Sequence, residues 1–369
     1  SNCSTPSIIM SILLLLVTLV AVSLLGGEVS SFQALIVQNK GGGHGELGFQ
    51  LANKLATTAA AADKITSITI LQDDACNDDK EPFKSYSTDL PSNVNVIKAP
   101  LGSDDVTAET IQSLLGGEGV KFDYIWDNNS KGPVGVGKAI CDCAKNWNVK
   151  LYTYVSSAGM YQPDDTTTFP MKESSTPIKS TAGQAQQDSY AVDLGLPLVS
   201  FRPQYIYGPK ANKYDYIDWY FDRLVRDQPL PIPGDGTQLV SLTNSQDVAT
   251  LLMSPLNDED AAIEQRYFNC GTNKLVSYDD VAYLCADAAG IDRSKVKIEH
   301  YDGDKYGKGT FPFRLTDFYV APDTAMEKLG YGGAVCSLQD DLGWYYDGYK
   351  SRGGPTKDLD LSKDEEVLA

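Results

Sequence analysis

Residues 34–62 read ALIVQNKGGGHGELGFQLANKLATTAAAA, and this stretch decides the fold. The apolar run at 34–37 is typical of a short buried strand, and the sequence after the glycines is typical of a helix. Between them, Gly42, Gly45 and Gly48 give the spacing GxxGxxG. Strand, glycine turn and helix in this order predict the first βα unit of a dinucleotide-binding Rossmann fold.

Polar or helix-periodic stretches separate the further apolar runs, which lie at 65–71, 94–97, 124–126, 151–155 and 198–201. Strands alternating with helices predict a parallel, doubly wound α/β sheet covered on both faces. After Arg202 the sequence becomes rich in aromatic residues and proline, as in the smaller substrate-capping region of extended short-chain dehydrogenases. We therefore predict a Rossmann domain at 33–203, a smaller α/β capping region at 204–350 and a solvated, flexible acidic tail at 351–369.

The N-terminal segment 1–31 contains an uncharged apolar run of 18 residues, IIMSILLLLVTLVAVSLL, from Ile8 to Leu25. This length lies between that of a signal-peptide core and that of a membrane span. Small residues follow the run before Phe32, as a cleavage site requires. We expect a cleaved targeting segment, with a retained anchor or a buried helix as the alternatives, and membrane contact only if the segment is retained.

Bulk composition excludes some classes of site. The formal net charge of −18 counts against nucleic-acid binding unless basic residues gather on one face. Seven cysteines without a repeating spacing do not form a disulfide framework, and two histidines are too few for a histidine-rich zinc site. Cys141 and Cys143 form a CxC pair, for which packing is the favoured role and metal or redox chemistry the alternative.

The glycine turn supplies the candidate nucleotide contacts. Gly42, Gly45 and Gly48 allow a tight turn, close approach of the backbone to a pyrophosphate and contact between helix and strand. His44, within the turn, is placed to reach a phosphate. Asp73, near the end of the second strand run together with Asp74, suits the ribose hydroxyls of NAD and would repel the extra phosphate of NADP. The alternatives are a turn that no longer binds nucleotide, a solvated histidine and a polar strand end.

The segment VSSAGMY at 155–161 matches the catalytic serine segment of this dehydrogenase fold, with Ser157 at the reacting position. A tyrosine and a lysine four residues later should lie on the next helix, where the tyrosine transfers the proton. Counting back from Arg202 places Ser180 and Gln184 at those two positions. Neither side chain can replace the pair, so hydride transfer by the standard route is not expected.

Six segments together resemble the chloroplast stem-loop binding proteins, which are atypical short-chain dehydrogenase relatives of plants, algae and cyanobacteria. They are GGGHGELGF, FDYIWDNNSK, VSSAGMY, SFRPQYIYGP, WYFDRLVRDQPLPIPGDGTQL and YFNCGTNKLVSYDDVAYLCADAAG. The resemblance runs in order from about Gln33 to Tyr349. That family also lacks the Tyr/Lys pair. It more often has Ala where this chain has Gly45.

The resemblance implies binding of stem-loop RNA in the plastid, divalent-metal-dependent endonuclease activity with Mg²⁺ as the expected ion, and association with plastid ribosomes or the transcription machinery. It also allows homo- or hetero-oligomers. The candidate RNA contacts are Arg202, Tyr205, Lys213, Trp219, Arg223 and Arg226. On a helix, Arg223 and Arg226 would share a face with Trp219 and form a small basic and aromatic patch. The alternative is a salt-bridged surface helix, since four aspartates lie between Arg202 and Asp227.

Asp127, Asn128 and Asn129 follow a strand and are the candidates for a polar catalytic site with Ser157, the alternative being a plain turn. The spacing of carboxylates singles out no metal ligands. Two other functions remain open from the sequence: an NAD-dependent sugar-nucleotide epimerase or dehydratase, and a non-enzymatic scaffold or assembly subunit.

Overall fold

The structure is a computed structural model that describes residues 31–41, 45–306 and 309–369. Except for Ser31, the predicted targeting segment lies outside the described residues, as do Gly42 and His44. Within the described ranges, no helix is both long and apolar enough to cross a membrane.

A seven-stranded sheet forms the centre of the molecule. The strands of the chain are β1 (Phe32–Gln38), β2 (Ile65–Asp73), β3 (Val94–Ala99), β4 (Tyr124–Asn128), β5 (Leu151–Val155), β6 (Leu198–Pro203), β7 (Ile206–Tyr207), β8 (Leu230–Pro233), β9 (Leu239–Val240), β10 (Thr243–Asn244), β11 (Tyr267–Cys270), β12 (Val276–Ser277) and β13 (Ile298–Tyr301). The order in the main sheet is β11-β6-β5-β4-β1-β2-β3, and every neighbouring pair is parallel. The predicted Rossmann-type sheet is therefore confirmed.

Helices cover both faces of this sheet. They are α1 (Gly45–Thr57), α2 (Ala59–Ala62), α3 (Tyr86–Asp89), α4 (Ala108–Leu114), α5 (Val136–Trp147), α6 (Gly183–Asp193), α7 (Asp215–Leu224), α8 (Ser245–Met253), α9 (Glu259–Gln265), α10 (Tyr278–Ala289), α11 (Gly303–Tyr306), α12 (Asp323–Leu329), α13 (Leu338–Ser351) and α14 (Ser362–Leu368). Alternate residues of β1 serve different cores. Ala34 and Ile36 pack in the core with α1 and α8, and Leu35 and Val37 pack in the core with α4, α5 and α6.

The strand order places a crevice beside β1. The chain moves outward from β1 through β2 to β3, then returns so that β4 lies on the other side of β1. In open α/β sheets, ligands bind outside the carboxyl ends of the strands at such a switch point. The residues that follow β1, β2 and β4 are therefore the ones that form the site.

Parts of the predicted capping region, 204–350, belong to the Rossmann unit. Its strand β11 is an edge strand of the main sheet and pairs with β6, and its helix α8 packs against α1. The rest of the region has a separate aromatic core that includes Tyr220, Phe221 and Phe313. The change in composition after Arg202 indicated that a different region begins there, but it could not show that the chain returns to add a strand to the main sheet.

The prediction of a solvated, flexible tail at 351–369 does not agree with the structure. A 3₁₀ turn at Gly354–Thr356 and the helix α14 lie against the capping region, and Asp364 and Val367 of α14 are buried. The segment is acidic, as its composition showed, but one of its carboxylates is used inside the molecule.

Candidate functional site

A cleft of about 290 Å³ opens at the carboxyl ends of β1, β2 and β4. Its wall carries both polar and aliphatic groups, among them Asn39, Lys40, Asp73, Asn129, Lys131 and Val134. Asn39 follows β1 and fixes the local backbone, because its side-chain amide donates to the Asn128 carbonyl at 2.8 Å and its amide oxygen accepts from the N–H of Gly41. The cleft therefore lies at the predicted edge of the sheet.

Asp73 and Asp74 have different positions, although the sequence could not separate them. Asp73 ends β2, is buried and lines the cleft, and one of its carboxylate oxygens accepts the N–H of Ala75 at 3.0 Å. Asp74 is exposed and does not line the cleft. Of the two, Asp73 is the one placed to meet a ligand hydroxyl.

The two described glycines that flank the turn, Gly41 and Gly45, lie close to the Asn212 and Phe83 side chains. A Cβ on Gly41 would lie 2.5 Å from the Asn212 amide nitrogen, and φ of +126° at Gly41 also requires glycine. A Cβ on Gly45 would lie 3.5 Å from the same amide and 3.7 Å from the Phe83 ring. Gly42 and His44 lie outside the described residues, so their predicted phosphate contacts stay predictions.

Gly48 has the packing role that was predicted for the third glycine. Its N–H donates to the Gln38 side-chain oxygen at 2.9 Å, and a Cβ at this position would overlap that side chain. The same Gln38 oxygen accepts from the Asn128 side chain at 2.9 Å. Helix α1, β1 and β4 are thus joined at one point beneath the cleft.

Glu46 lies in the first turn of α1 and is a buried acid that the sequence analysis did not identify. Burial raises its pKa to about 7, although Gln50 and the backbone N–H of Lys210 donate to it at 2.7 and 2.8 Å. The Ser245 hydroxyl also lies beside the buried carboxylate and, like the two donors, acts to lower the pKa. The carboxyl group connects α1 to the segment that follows β7.

Asp127, Asn128 and Asn129 do not act together as a catalytic group in the structure. Asp127 is fully buried, and its carboxylate accepts from the N–H groups of Asn129 and Ser130 and from the hydroxyls of Ser130 and Tyr152. Burial raises its pKa despite these donors. Only Asn129 lines the cleft. Among the described residues, no group of three or more His, Cys, Asp or Glu side chains is placed to hold a metal ion.

Ser157 follows β5, and its hydroxyl accepts the N–H of Gly159 at 3.0 Å. The proton-transfer pair is missing in space as well as in sequence. Ser180 is exposed before α6 and Gln184 is half-buried in its first turn. The tyrosine of α6, Tyr190, donates to Asp142 at 2.8 Å on the neighbouring helix. Tyr190 therefore does not replace the missing acid.

Of the predicted RNA contacts, Arg202 lies inside the protein and Tyr205 is half-buried. Arg202 is only 3% exposed, and its guanidinium lies between the rings of Tyr161 and Tyr267 at 5.2 and 4.6 Å from their centroids. The ring of Tyr205 packs against Phe313, and its hydroxyl accepts the N–H of Arg314. An RNA strand cannot reach Arg202 without displacing the core around it.

The predicted basic and aromatic patch on α7 exists, but the C-terminal segment covers it. The Arg223 guanidinium stacks on Trp219 at 3.8 Å and makes two 2.7 Å hydrogen bonds to Asp364. Arg226 donates to the carbonyls of Gly354 and Lys357. A further predicted contact, Lys213, lies 3.8 Å from Asp215 and over the ring of Tyr216. The salt-bridged helix, the alternative left open by the sequence, is what the structure shows.

Comparison with known proteins agrees with the fold. Residues 41–271 match the model of the NAD dependent epimerase/dehydratase family. The "Chloroplast stem-loop binding protein of 41 kDa b, chloroplastic" of Arabidopsis thaliana is 30% identical over 272 residues, which cover 73% of this chain and 69% of that protein. The chain belongs to the chloroplast stem-loop binding protein family.

Solved structures show the same fold at low sequence identity. The dTDP-glucose 4,6-dehydratase of Bacillus anthracis, in complex with NAD, aligns with a TM-score of 0.62 and 15% identity over 87% of this chain and 98% of that one. The UDP-glucuronic acid 4-epimerase of Bacillus cereus, also with NAD, has a TM-score of 0.61 and 16% identity over 86% and 96%. These likenesses establish the architecture of this stem-loop binding protein relative and nothing about its ligand.

Two cations that sequence analysis missed, Lys40 and Lys131, line the cleft and are exposed. No described carboxylate lies within ion-pair distance of either, whereas Arg223 and Arg226 are both paired. Lys40 and Lys131 could have been found from the sequence, since each lies in the loop that follows a strand ending at the switch point.

Proposed function

We propose that this family member is a plastid RNA-binding protein that holds a stem-loop at the cleft entrance and does not transfer hydride. The observation that carries the proposal is the pair of exposed lysines, Lys40 and Lys131, that line the cleft without a described carboxylate partner. The name of the Arabidopsis relative, which is a chloroplast stem-loop binding protein, supplies the kind of RNA and the compartment. Delivery to the plastid would depend on the apolar segment at 8–25.

The charges around the cleft support RNA binding there, although the net charge of the whole chain does not. About half of the lysines and arginines of the described residues form ion pairs within the protein, as in Lys98–Asp78, Lys138–Asp142 and Arg352–Asp218. Lys40 and Lys131 are exposed and unpaired, so phosphates can approach them. Binding of phosphates releases counterions and weakens as salt increases. We therefore place the phosphate contacts at the cleft and not on α7.

Two parts of the family's implied function have less support. Endonuclease activity with Mg²⁺ would need a metal site, and the described residues contain none of the usual carboxylate and imidazole clusters. Association with plastid ribosomes, the transcription machinery or other subunits would need an identified surface. The proposal is therefore limited to RNA binding, and the test below includes Mg²⁺ so that cleavage is measured as well.

The second candidate is an NAD-dependent epimerase or dehydratase, which the buried Asp73 at the cleft favours. Ser180 and Gln184 oppose it, because neither can transfer or position the proton. Detection of bound NADH by its fluorescence, together with turnover of any UDP-sugar, would establish this candidate instead. A non-enzymatic scaffold would bind neither RNA nor NADH and would co-purify with a larger complex.

The test is the affinity of the full chain for a labelled stem-loop RNA at several salt concentrations, with and without Mg²⁺. Lys40→Gln and Lys131→Gln should each weaken binding and reduce the slope of log K against log salt by about one. The matched control is Lys145→Gln, because Lys145 is exposed and unpaired but lies in the last turn of α5, away from the cleft.

Either of two results would contradict the proposal. One is the absence of binding at low salt. The other is binding that Lys40→Gln and Lys131→Gln leave at the level of Lys145→Gln, since the RNA would then lie elsewhere on the surface. Mg²⁺-dependent cleavage on denaturing gels would add the nuclease activity to the proposed binding.

A further inference from the structure

We infer that helix α6 supports the loop that carries Lys131, and that Gly183 is a positioning residue for RNA binding through that lysine. In the dehydrogenases of this fold the same helix carries the proton-transfer pair, which this chain lacks. The inference rests on the proposed function, because RNA binding is what the support would serve. It goes further by naming the part of the molecule that fixes one phosphate contact in place.

The loop between β4 and α5, residues 129–135, has exposed side chains on a packed backbone. The side chains of Lys131 and Val134 are exposed, whereas Gly132 and Gly135 are buried. Glycine allows a backbone to approach its neighbours closely. The lysine side chain therefore begins at a packed position of the backbone, although its ammonium group is in solvent.

The first residue of α6 makes a close contact with this loop. A Cβ on Gly183 would lie 1.9 Å from the Lys131 carbonyl oxygen and 3.0 Å from its carbonyl carbon. Both atoms belong to the backbone and cannot rotate away as the end of a side chain could. The φ of Gly183 is not in the left-handed region, so glycine is needed here for space and not for conformation. Any side chain at this position requires the loop backbone to move.

The loop cannot relieve such an overlap by moving as a body, because both of its ends are held. Near its start, the Ser130 carbonyl accepts the Tyr154 hydroxyl at 2.9 Å. At its end, a Cβ on Gly135 would lie 2.6 Å from the Ser103 carbonyl oxygen, so the loop already touches the neighbouring loop closely. A side chain on the first residue of α6 would therefore detach the middle of the loop from the helix.

A second residue of α6 holds the beginning of α5. Gln187 lies one helical turn after Gly183, is fully buried and donates to the Gly137 carbonyl at 2.8 Å. A Cβ on Gly137 would lie 2.0 Å from the Gly132 carbonyl oxygen, so the start of α5 packs on the loop in turn. One face of α6 thus contacts both the loop and the helix that follows it.

An ordered loop favours phosphate binding for an entropic reason. The lysine side chain is flexible, so its ammonium group is confined only if the backbone that carries it is confined. When that backbone is already ordered, the complex does not lose the entropy of ordering it. Lys40 lies on a different loop, after β1, so its contact with RNA should not depend on Gly183.

The experiment is a double-mutant cycle between Gly183→Ala and Lys131→Gln, in which the affinity of the full chain for the labelled stem-loop RNA is measured at several salt concentrations. With a salt slope of about 0.7 to 0.9 per phosphate, one contact contributes a factor of about five to eight at about 0.1 M salt relative to about 1 M salt. We expect Gly183→Ala to lose this factor and to reduce the slope by about one. In the Lys131→Gln background it should have no further effect, and in the Lys40→Gln background it should have its full effect.

Gly271→Ala is the matched control for a loss of stability alone. A Cβ on Gly271 would lie 2.4 Å from the Val320 carbonyl oxygen, so this variant also overlaps a backbone oxygen, but Gly271 does not line the cleft. It should lower the thermal midpoint and leave the RNA affinity unchanged. If Gly183→Ala does not fold, Gln187→Ala takes its place. That variant removes the hydrogen bond to Gly137 and should weaken RNA binding only while Lys131 is present.

The outcomes separate this inference from the proposed function. If RNA binds and Gly183→Ala stays within about twofold of the wild-type affinity, α6 does not position the lysine. An equal loss in the Lys131→Gln background would also refute the inference, because the effect would then not act through the lysine. In both cases the proposed RNA binding stands. If the wild-type chain binds no RNA at low salt, the proposed function fails and the inference fails with it.

Discussion

The ion pair between Arg223 and Asp364 provides the most direct test of how the C-terminal segment is held. The two side chains are 6% and 8% exposed, and two hydrogen bonds of 2.7 Å join them. Removal of one partner from a buried pair costs about 3–5 kcal/mol, because the other charge stays buried without compensation. Asp364→Ala should therefore destabilise the docked tail by an amount in this range.

Native-state proteolysis is the suitable assay, because the tail can open while the rest of the protein stays folded. In the docked state Lys357 pairs with Asp222 at 2.8 Å and its carbonyl accepts a hydrogen bond from Arg226, so we expect trypsin to cleave after it mainly when the segment opens. A loss of 3–5 kcal/mol raises the open population by a factor of about 150 to about 4,000. We expect the cleavage rate after Lys357 to rise accordingly in Asp364→Ala.

Glu366→Ala is the control, since Glu366 is an exposed residue of the same helix. In the double variant Arg223→Met/Asp364→Ala no buried charge remains, so much of the loss should be recovered. A cleavage rate for Asp364→Ala within about fivefold of the control (about 1 kcal/mol) would refute the reasoning. An RNA affinity that increases in Asp364→Ala would indicate that RNA binds the patch on α7 and not the cleft.

Three further predictions follow from buried groups. Because burial raises the pKa of Glu46 to about 7, the folded state binds its proton more tightly than the unfolded state does. For this group alone, the free energy of unfolding should therefore fall by about 3 kcal/mol from pH 4 to pH 8. Glu46→Gln should remove that part of the pH dependence in urea titrations, and Glu81→Gln is the control for the nearby acid. Gly48→Ala should cost about 1–3 kcal/mol in urea titrations because its Cβ overlaps Gln38, whereas Gly343→Ala in α13, with no atom near its Cβ, should stabilise by up to about 1 kcal/mol. The thiols of Cys141 and Cys143 should resist alkylation in the native protein and react in urea, because both are buried and burial raises the pKa of Cys143 to about 12. Mass spectrometry would measure the labelling, and equal labelling in both states would contradict their packing role.

The fold was predictable because its signals are local. The strand, glycine turn and helix at 34–62 and the later apolar runs each reflect burial of one segment, and together they specify alternation of β and α elements. The seventh strand, β11, was not predictable in this way. Its four residues are too few to indicate which edge they join, and the pairing with β6 is fixed only after the capping region has folded.

The site was predictable only in part. The position of Asp73 at the cleft could be predicted, because the residues at strand ends beside a switch point line the cleft. The packing role of Gly48 could be predicted because its contact with β1 joins residues close together in the sequence. The sequence could not show which groups Arg223 and Arg226 contact in the folded protein. Helical spacing correctly placed Arg223 beside Trp219, but the partner that covers the pair, Asp364, lies 141 residues further along the chain.

The acidic composition no longer argues against RNA binding once the positions of the charges are considered. At physiological ionic strength a charge is screened over about 8 Å, so an RNA in the cleft responds to nearby Lys40 and Lys131 more than to distant carboxylates. The net charge of −18 still repels phosphate from the rest of the surface. Such a protein should bind duplex nucleic acid poorly and without long-range steering, and should bind RNA where phosphates can reach these two lysines. Selectivity would then arise from the acidic surface as much as from the cleft.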